Sequence, residues 1–123
     1  MVFYILGDMG SGEESQMKVA DALKQNIGNK NTFVCGLGDN IYENGVVSVD
    51  DCQFMEKFEI PYQGISDSIP FYMCLGNHDY GYSNLSLNPV KNAEVQIKYT
   101  DKSKKWKLPS KYYNYKKGDI EFF

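Results

Sequence analysis

Three apolar runs in this chain each end in a glycine that is followed by a residue able to bind a metal ion. The runs read VFYIL, TFVCGL and IPFYMCL, and they are followed by Gly7-Asp8-Met9, Gly38-Asp39-Asn40 and Gly76-Asn77-His78. Short apolar runs bounded by glycine predict buried strands. Because ligands of open α/β sheets collect at the carboxyl ends of the strands, we expect these polar side chains to share one edge. The pattern therefore predicts one half of a metal site.

The segments between these runs predict helices. Across residues 11–28, apolar side chains recur every three or four positions and Gly28 is a stop signal. The order strand, helix, strand favours a parallel βαβ unit with a right-handed crossover. A second helix is expected at residues 50–59, ended by Pro61, before the third strand at residues 70–75.

The last third of the chain carries weaker signals. Residues 84–88 have the composition of a loop, and residues 90–99 predict a further helix. Two short strands around residues 111–115 and 119–123 are expected to form a hairpin or bend at Lys117-Gly118. We therefore expect an α/β fold, βαβαβ at its centre, with a mixed but mostly parallel sheet.

The composition is that of one ordinary globular domain, residues 1–123, with 42% hydrophobic residues. No apolar run approaches the roughly 20 residues that span a bilayer, and VFYIL is too short for a signal-peptide core. We expect neither kind of segment, and the compartment stays unknown. Cys35, Cys52 and Cys74 form no CxxC pair and are expected to be buried, reduced thiols.

The net charge of −3 hides an uneven distribution, because residues 98–117 contain eight lysines and one acid. Such a segment could bind phosphate or a polyanion by Coulomb attraction, which is blind to sequence, or it could be a solvated loop. No specific nucleic acid and no membrane partner is indicated.

The polar side chains at the strand ends suit a definite chemistry. Carboxylates, a carboxamide and an imidazole are ligands for Mn, Fe and Zn. A carboxylate that bridges two ions can hold them about 4 Å apart, the spacing at which a metal pair clamps a phosphoryl group. Asp39, on the middle loop, is the natural bridge. Taken singly, Gly-Asp after a strand is typical of a turn and His78 could be a surface histidine; the joint order is what points to a site.

The chain resembles the first half of a metallophosphoesterase, and within that superfamily it is similar to the purple acid phosphatases, especially the small tartrate-resistant type. Those enzymes carry five blocks, GDxG, GDxxY, GNH followed by D or E, VxxH and GHxH. The first three occur here at residues 7–10, 38–42 and 76–79. The segment KWKLPS with its paired tyrosines, residues 105–113, also resembles the family, so the resemblance covers nearly all of the chain.

This resemblance implies the βαβαβ half of a metallophosphoesterase-type α/β sandwich and a dinuclear metal centre. By the family's pattern, Asp8 and Tyr42 would bind Fe(III), and the Tyr42 phenolate would give the purple colour. Asp39 would bridge the two ions. Asn77 would bind the second ion, which is Fe(II), Zn or Mn in the family.

The resemblance also implies two-metal hydrolysis of a phosphomonoester substrate. His78 and Asn77 would contact the substrate phosphate. His78 would act as the acid for the leaving group, oriented by Asp79. Small purple phosphatases are commonly secretory or lysosomal.

One departure from the family is as informative as the match. The fourth and fifth blocks supply three histidines, whereas this chain contains one histidine in total. We expect residues 1–123 to be the N-terminal half of a metallophosphoesterase domain, truncated relative to the family, inactive or incomplete alone, with one face of its sheet apolar and uncovered.

Four interpretations stay open at this point. The chain is a split or truncated phosphatase, or a fragment of a longer enzyme. Alternatively, it is a non-catalytic half-domain that binds a metal or a partner, either a complementary C-terminal half or a second copy, through the exposed sheet. The fourth is polyanion binding by residues 98–117.

Overall fold

The computed structural model describes residues 1–28, 31–81 and 89–123. The loop predicted at residues 84–88 lies outside these ranges. The described elements form a four-stranded sheet, a separate two-stranded hairpin and two α-helices. No helix among them is long and apolar enough to cross a membrane.

The main sheet is parallel throughout, and its strand order follows the chain, β1-β2-β3-β4. The strands are β1 (Val2–Leu6), β2 (Thr32–Gly36), β3 (Phe71–Tyr72) and β4 (Trp106–Lys107). The three predicted strands are confirmed, although the third is shorter than expected. The expectation that all three are buried is wrong for β1, in which Val2, Phe3 and Ile5 are exposed. The fourth was not predicted, because two residues inside a lysine-rich segment give no readable alternation.

Helix α1 (Glu14–Asn26) turns Gln16, Ala20 and Leu23 towards the core. Helix α2 (Pro89–Lys98) matches the helix predicted at residues 90–99 within one residue at each end. The helix predicted at residues 50–59 is only partly correct, because the described element is a π-helical turn at Met55–Glu59.

Aromatic side chains fill the core on the helix-covered face of the sheet. The Trp106 ring receives the rings of Phe54 and Phe58 edge-on, with centroid separations of 5.7 and 4.9 Å. Phe54 in turn stacks on Tyr99 at 3.6 Å. These contacts explain the position of the π-helical turn, because Phe58 within it and Phe54 just before it pack against Trp106 in strand β4.

The opposite face of the sheet is partly covered by an antiparallel hairpin, β5 (Tyr115–Lys117) and β6 (Ile120–Phe122). The hairpin around Lys117-Gly118 is therefore confirmed, whereas the expectation of an apolar, uncovered face is only partly correct, because the hairpin covers part of it. Phe33 is fully buried there because Tyr115 and Phe122 pack edge-on against its ring at 5.9 and 5.3 Å. Beyond the hairpin this face stays open: Phe3, Ile5 and Leu37 are exposed.

The cysteines are free thiols, as expected, but the prediction that they are buried is wrong. Cys52 and Cys74 are exposed, and Cys35 is half-buried. Strand β3 ends at Tyr72, so Cys74 lies beyond it, where the hairpin covers the sheet incompletely.

The lysine-rich segment pairs with acidic residues of the fold. Lys102 contacts Asp50 at 2.5 Å, and Lys104 and Lys105 both contact Asp67, at 3.2 and 3.0 Å. These pairs neutralise part of the segment's charge, which weakens the interpretation that it binds a polyanion.

We predict that Phe33→Ala lowers the free energy of unfolding by about 3–5 kcal/mol, because it removes a fully buried ring and leaves a cavity under the hairpin. Equilibrium urea denaturation measures this. Phe123→Ala is the matched control, since Phe123 is 97% exposed and a surface truncation changes stability by about 0.5 kcal/mol or less. Equal losses in the two variants would contradict the packing described for the hairpin.

Candidate metal centre

Three loops meet at the carboxyl edge of the sheet: loop 1 (residues 7–12) after β1, loop 2 (residues 37–45) after β2 and loop 3 (residues 73–81) after β3. The backbones of loops 1 and 2 are directly hydrogen-bonded, and the His78 N–H of loop 3 donates to the Asp39 carboxylate of loop 2. Asp8 N donates to Gly38 O at 3.1 Å, and Tyr42 N donates to Gly10 O at 3.0 Å. The sequence prediction that the strand-end residues share one edge therefore agrees with where the structure places them.

Glycine at two positions allows the loops to approach this closely. A Cβ atom at Gly10 would lie 1.7 Å from the carbonyl oxygen of Asn40, and one at Gly76 would lie 2.2 Å from Asp39 Oδ1. Both distances are far inside van der Waals contact. Glycine here is thus required by the approach of neighbouring backbone and side chains.

Asp8, Asp39 and Tyr42 bring their oxygen atoms together. The Tyr42 hydroxyl donates to Asp8 Oδ1 at 2.5 Å and to Asp39 Oδ2 at 3.4 Å. Asp8 and Asp39 share a left-handed backbone conformation, with φ of 52° and 50°, which aspartate tolerates better than most residues. These two strained positions aim one carboxylate from each loop at the same phenol.

The two carboxylates hold the phenolic proton of Tyr42. The hydrogen bond to Asp8 raises the pKa of Tyr42 well above its ordinary value, and burial and the negative charge of Asp39 raise it further. A cation placed among these oxygens would reverse that balance, because it stabilises the phenolate and the carboxylates together.

His78 lies beside this oxygen cluster. Its ring centroid is 4.4 Å from that of Tyr42, and its Nδ1 lies 2.7 Å from the carbonyl oxygen of Glu43. A carbonyl oxygen only accepts, so Nδ1 carries a hydrogen and Nε2 is protonated only in the imidazolium form. The backbone N–H of His78 donates to Asp39 Oδ1 at 2.9 Å, which fixes that carboxylate from the loop 3 side.

Asn77 precedes His78 and is exposed at the start of the 3-10 turn His78–Tyr80. Its neighbours on both sides touch Asp39, Gly76 by close approach and His78 by its amide. Asn77 is thereby placed next to the carboxylate expected to bridge.

Asp79 has a different place from the one expected for a residue that orients His78. Its carboxylate is fully buried and accepts hydrogen bonds from the backbone of Gly76 and Asn40, at 2.8 and 2.9 Å, and of Ile41, at 3.2 Å. Burial raises the pKa of this carboxyl, and a hydrogen bond from Gln96 is the largest opposing contribution. The hydrogen bonds of the Asp79 carboxylate join loops 2 and 3. The Nδ1 atom of His78 contacts the Glu43 carbonyl instead of Asp79.

Sequence reasoning missed two residues of this arrangement, Asn40 and Gln96. Both are buried, and their amides hydrogen-bond to each other at 3.1 Å. A signal for Gln96 exists in the sequence, since a long polar residue falls three positions after Ala93 on the core-facing side of a predicted helix. Asn40 gives no comparable signal, because asparagine after Gly-Asp is ordinary in a turn.

The side chains at this edge differ from an all-carboxylate or histidine-rich metal site. Among the described residues, no three His, Cys, Asp or Glu side chains gather into a metal-binding group. The cluster instead combines a phenol with two carboxylates: the Tyr42 hydroxyl lies 2.5 Å from Asp8 Oδ1 and 3.4 Å from Asp39 Oδ2. Such hard oxygen donors fit a hard cation.

A parallel sheet with carboxylate and phenol oxygens converging at its carboxyl edge defines an α/β domain with a candidate metal centre. A family model described as calcineurin-like phosphoesterase matches residues 1–122. The chain belongs to this family.

Two relatives with similar sequences are acid phosphatases. The chain is 39% identical over 82 residues to tartrate-resistant acid phosphatase type 5 of Oryctolagus cuniculus, which is 66% of this chain and 22% of that protein. It is 40% identical over 92 residues to purple acid phosphatase 4 of Arabidopsis thaliana, covering 72% of this chain and 27% of that one. The chain thus spans about a quarter of the length of these curated relatives.

A solved structure shares the fold. The structure described as "GAP50 the anchor in the inner membrane complex of Plasmodium" matches with a TM-score of 0.72 and 25% identity, over 92% of this chain and 35% of that chain. The metallophosphoesterase-type α/β fold expected from the sequence is confirmed by this match.

We predict that Gly76→Ala displaces the Asp39 side chain and lowers the free energy of unfolding by about 1–3 kcal/mol, as overpacking does. Urea denaturation measures the loss. Hydrogen exchange of the His78 amide should also accelerate, because its acceptor is Asp39 Oδ1. Gly28→Ala is the control, since its new Cβ would be 3.9 Å from the nearest atom, Thr32 Oγ1. Unchanged exchange at His78 in Gly76→Ala would contradict the geometry.

Proposed function

We propose that this chain supplies part of the active site of a metal-dependent phosphomonoester hydrolase of the purple acid phosphatase type. The observation that carries the proposal is the contact of the Tyr42 hydroxyl with both Asp8 and Asp39. A phenol shared by two carboxylates on adjacent strand-end loops is the donor set expected for the Fe(III) side of such a centre. The family membership and the acid phosphatase relatives support the same reaction class.

Each residue of the oxygen cluster would have its own role in binding the two ions. Asp8 and Tyr42 would hold Fe(III), and Asp39 would bridge to a second ion, Fe(II), Zn or Mn, that Asn77 also binds. Asp39 is suited to bridging because its two oxygens face different groups, Oδ2 towards Tyr42 and Oδ1 towards the His78 amide. When bound, the dinuclear centre would supply a nucleophile and neutralise charge on the phosphoryl group.

His78 and Asn77 would contact the substrate phosphate, and His78 would donate a proton to the leaving group. The Glu43 carbonyl holds the Nδ1 hydrogen of His78, so the imidazolium form presents its transferable proton on Nε2. Asp79 would contribute by keeping loop 3 in register with loop 2, since its carboxylate accepts from the backbone of both.

Residues 1–123 would form the N-terminal half of the metallophosphoesterase domain, and the histidine donors of the family's fourth and fifth blocks would come from outside them. The single histidine supports this, because His78 cannot also complete two metal coordination spheres. The relatives' greater length supports it as well. We expect the chain by itself to hold metal weakly and to hydrolyse little or nothing.

A second candidate function is a non-catalytic half-domain that binds a metal or a partner. It is favoured by the open part of the sheet face, where a groove of about 490 Å³ includes Phe3, Ile5 and Leu37. The occupant that we propose is a complementary C-terminal half, because the matched solved structure continues well beyond the part that this chain covers. A second copy of the chain is the other outcome of such a test.

Metal loading tests the first proposal. Wild-type chain incubated with Fe(III) and Zn(II) should bind metal weakly and develop a visible absorption band, and it should hydrolyse little or none of an aryl phosphate. Tyr42→Phe should lose the band before it loses metal or hydrolysis, because only the phenolate gives the colour. Asp39→Asn should lose the metal itself, since it removes the bridging charge.

The matched controls for these variants are Tyr112→Phe, whose ring is 89% exposed, and Asp119→Asn in the hairpin turn; both should behave as the wild type. Colour that persists in Tyr42→Phe would reject the tyrosine ligand, and metal retained by Asp39→Asn would reject the bridge. A wild-type chain with neither metal nor hydrolysis would favour the half-domain that binds a partner.

A further inference from the structure

Helix α2 places the polar side chain of Gln96 against loops 2 and 3 on their buried side. Gln96 is fully buried, and so are the two residues that hydrogen-bond to its side-chain amide, Asp79 and Asn40. Its Nε2 donates to Asp79 Oδ1 at 2.8 Å, and its Oε1 accepts from Asn40 Nδ2 at 3.1 Å. A buried amide is costly unless both ends are satisfied, so these two bonds determine where the side chain lies.

The two partners of Gln96 belong to different loops. Asn40 directly follows Asp39 in loop 2, and Asp79 directly follows His78 in loop 3. One rigid amide therefore contacts a neighbour of the bridging carboxylate and a neighbour of the imidazole at the same time. The direction of the amide is not interchangeable, because an ionised carboxylate only accepts and must face the NH₂ end.

The backbone of Gln96 is itself anchored. Its carbonyl oxygen accepts from the Trp106 indole at 3.0 Å, and Trp106 is fully buried in strand β4. The position of Gln96 is thus tied to strand β4 of the sheet as well as to helix α2. This connection makes the distance between loops 2 and 3 dependent on the core.

We propose that Gln96 is a positioning residue that sets the separation of loops 2 and 3, and with it the separation of Asp39 from Asn77 and His78; the consequence for metal binding rests on the proposed function. Loss of the amide leaves the Asp79 carboxylate without its only described side-chain donor. It also leaves Asn40 Nδ2 with the Cys74 carbonyl alone among its described partners. The Asn40 Oδ1 atom is already without a hydrogen-bond partner among the described residues. Without Gln96, the Asn40 side chain would therefore keep one described hydrogen bond.

The test uses Gln96→Met, which keeps the length of the side chain and removes both polar ends. Gln96→Asn keeps the amide but is one methylene too short to reach both loops. Val95→Ala is the matched control, because Val95 is a core residue of the same helix without a polar side chain. It should lose stability without loosening the loops.

Two readouts are compared with the wild type in the full chain. Hydrogen exchange by NMR should show about tenfold or greater loss of protection at the amides of Asn40, Ile41 and Gly76 in both Gln96 variants, with Val34 in β2 unchanged; a hydrogen bond to a charged group contributes at least that factor. Titration with Fe(III), supplied as its nitrilotriacetate complex, should show affinity weakened about tenfold in both Gln96 variants and unchanged in Val95→Ala.

Each measurement tests a different proposal: hydrogen exchange tests the role of Gln96, and Fe(III) uptake tests the proposed function. Protection at these three amides equal to that in Val95→Ala would overturn the positioning role, whatever the metal does. Wild-type chain that takes up no Fe(III) would overturn the proposed function, and the exchange comparison would still decide the role of Gln96. Unfolding of both Gln96 variants, with Val95→Ala folded, would make Gln96 a general core residue and would also overturn the assignment.

Discussion

The fully buried carboxylate of Asp79 accepts hydrogen bonds from the backbone of loops 2 and 3 and from Gln96 of helix α2. Taking a carboxylate out of water costs several kcal/mol, and only a complete set of donors offsets that cost. Hydrogen bonds to a charged acceptor contribute about 1.5–3 kcal/mol each. The loops therefore adopt the one arrangement that supplies these donors, and the side chains that they carry are placed as a result.

The geometry of the oxygen cluster follows from this constraint and from two glycines. With loops 2 and 3 joined at Asp79, close approach at Gly76 sets the position of the Asp39 carboxylate, and Gly10 lets loop 1 come up against Asn40. Asp8 and Asp39 then face one phenol. The proposed ligands lie on loops, but their positions are determined by buried groups that would not contact a bound metal.

The sequence was sufficient for the three-strand, two-helix part of the fold and for the edge at which the site lies, because short apolar runs that end in glycine mark a strand and the turn after it. It was insufficient for the burial of the first strand, where Val2, Phe3 and Ile5 are exposed. It was insufficient for β4, where Trp106 and Lys107 form a strand only because the neighbouring strand accepts them. The family resemblance implied that Asp79 orients His78, whereas the buried Asp79 carboxylate accepts hydrogen bonds from the loop backbone. Such roles depend on which long-range partner satisfies a polar group, and no spacing in the sequence encodes that partner.

The central claim is that Tyr42, Asp8 and Asp39 form one ligand set. The most direct measurement is NMR of the chain with ¹³Cζ-labelled tyrosine during titration with Ga(III), a diamagnetic substitute for Fe(III). Of the ten tyrosines, Tyr42 alone should move to the chemical shift of a metal-bound phenolate as one ion binds, although the hydrogen bond to Asp8 raises the pKa of Tyr42 in the absence of metal. An unmoved Tyr42 resonance in a chain that has bound the ion would contradict the claim.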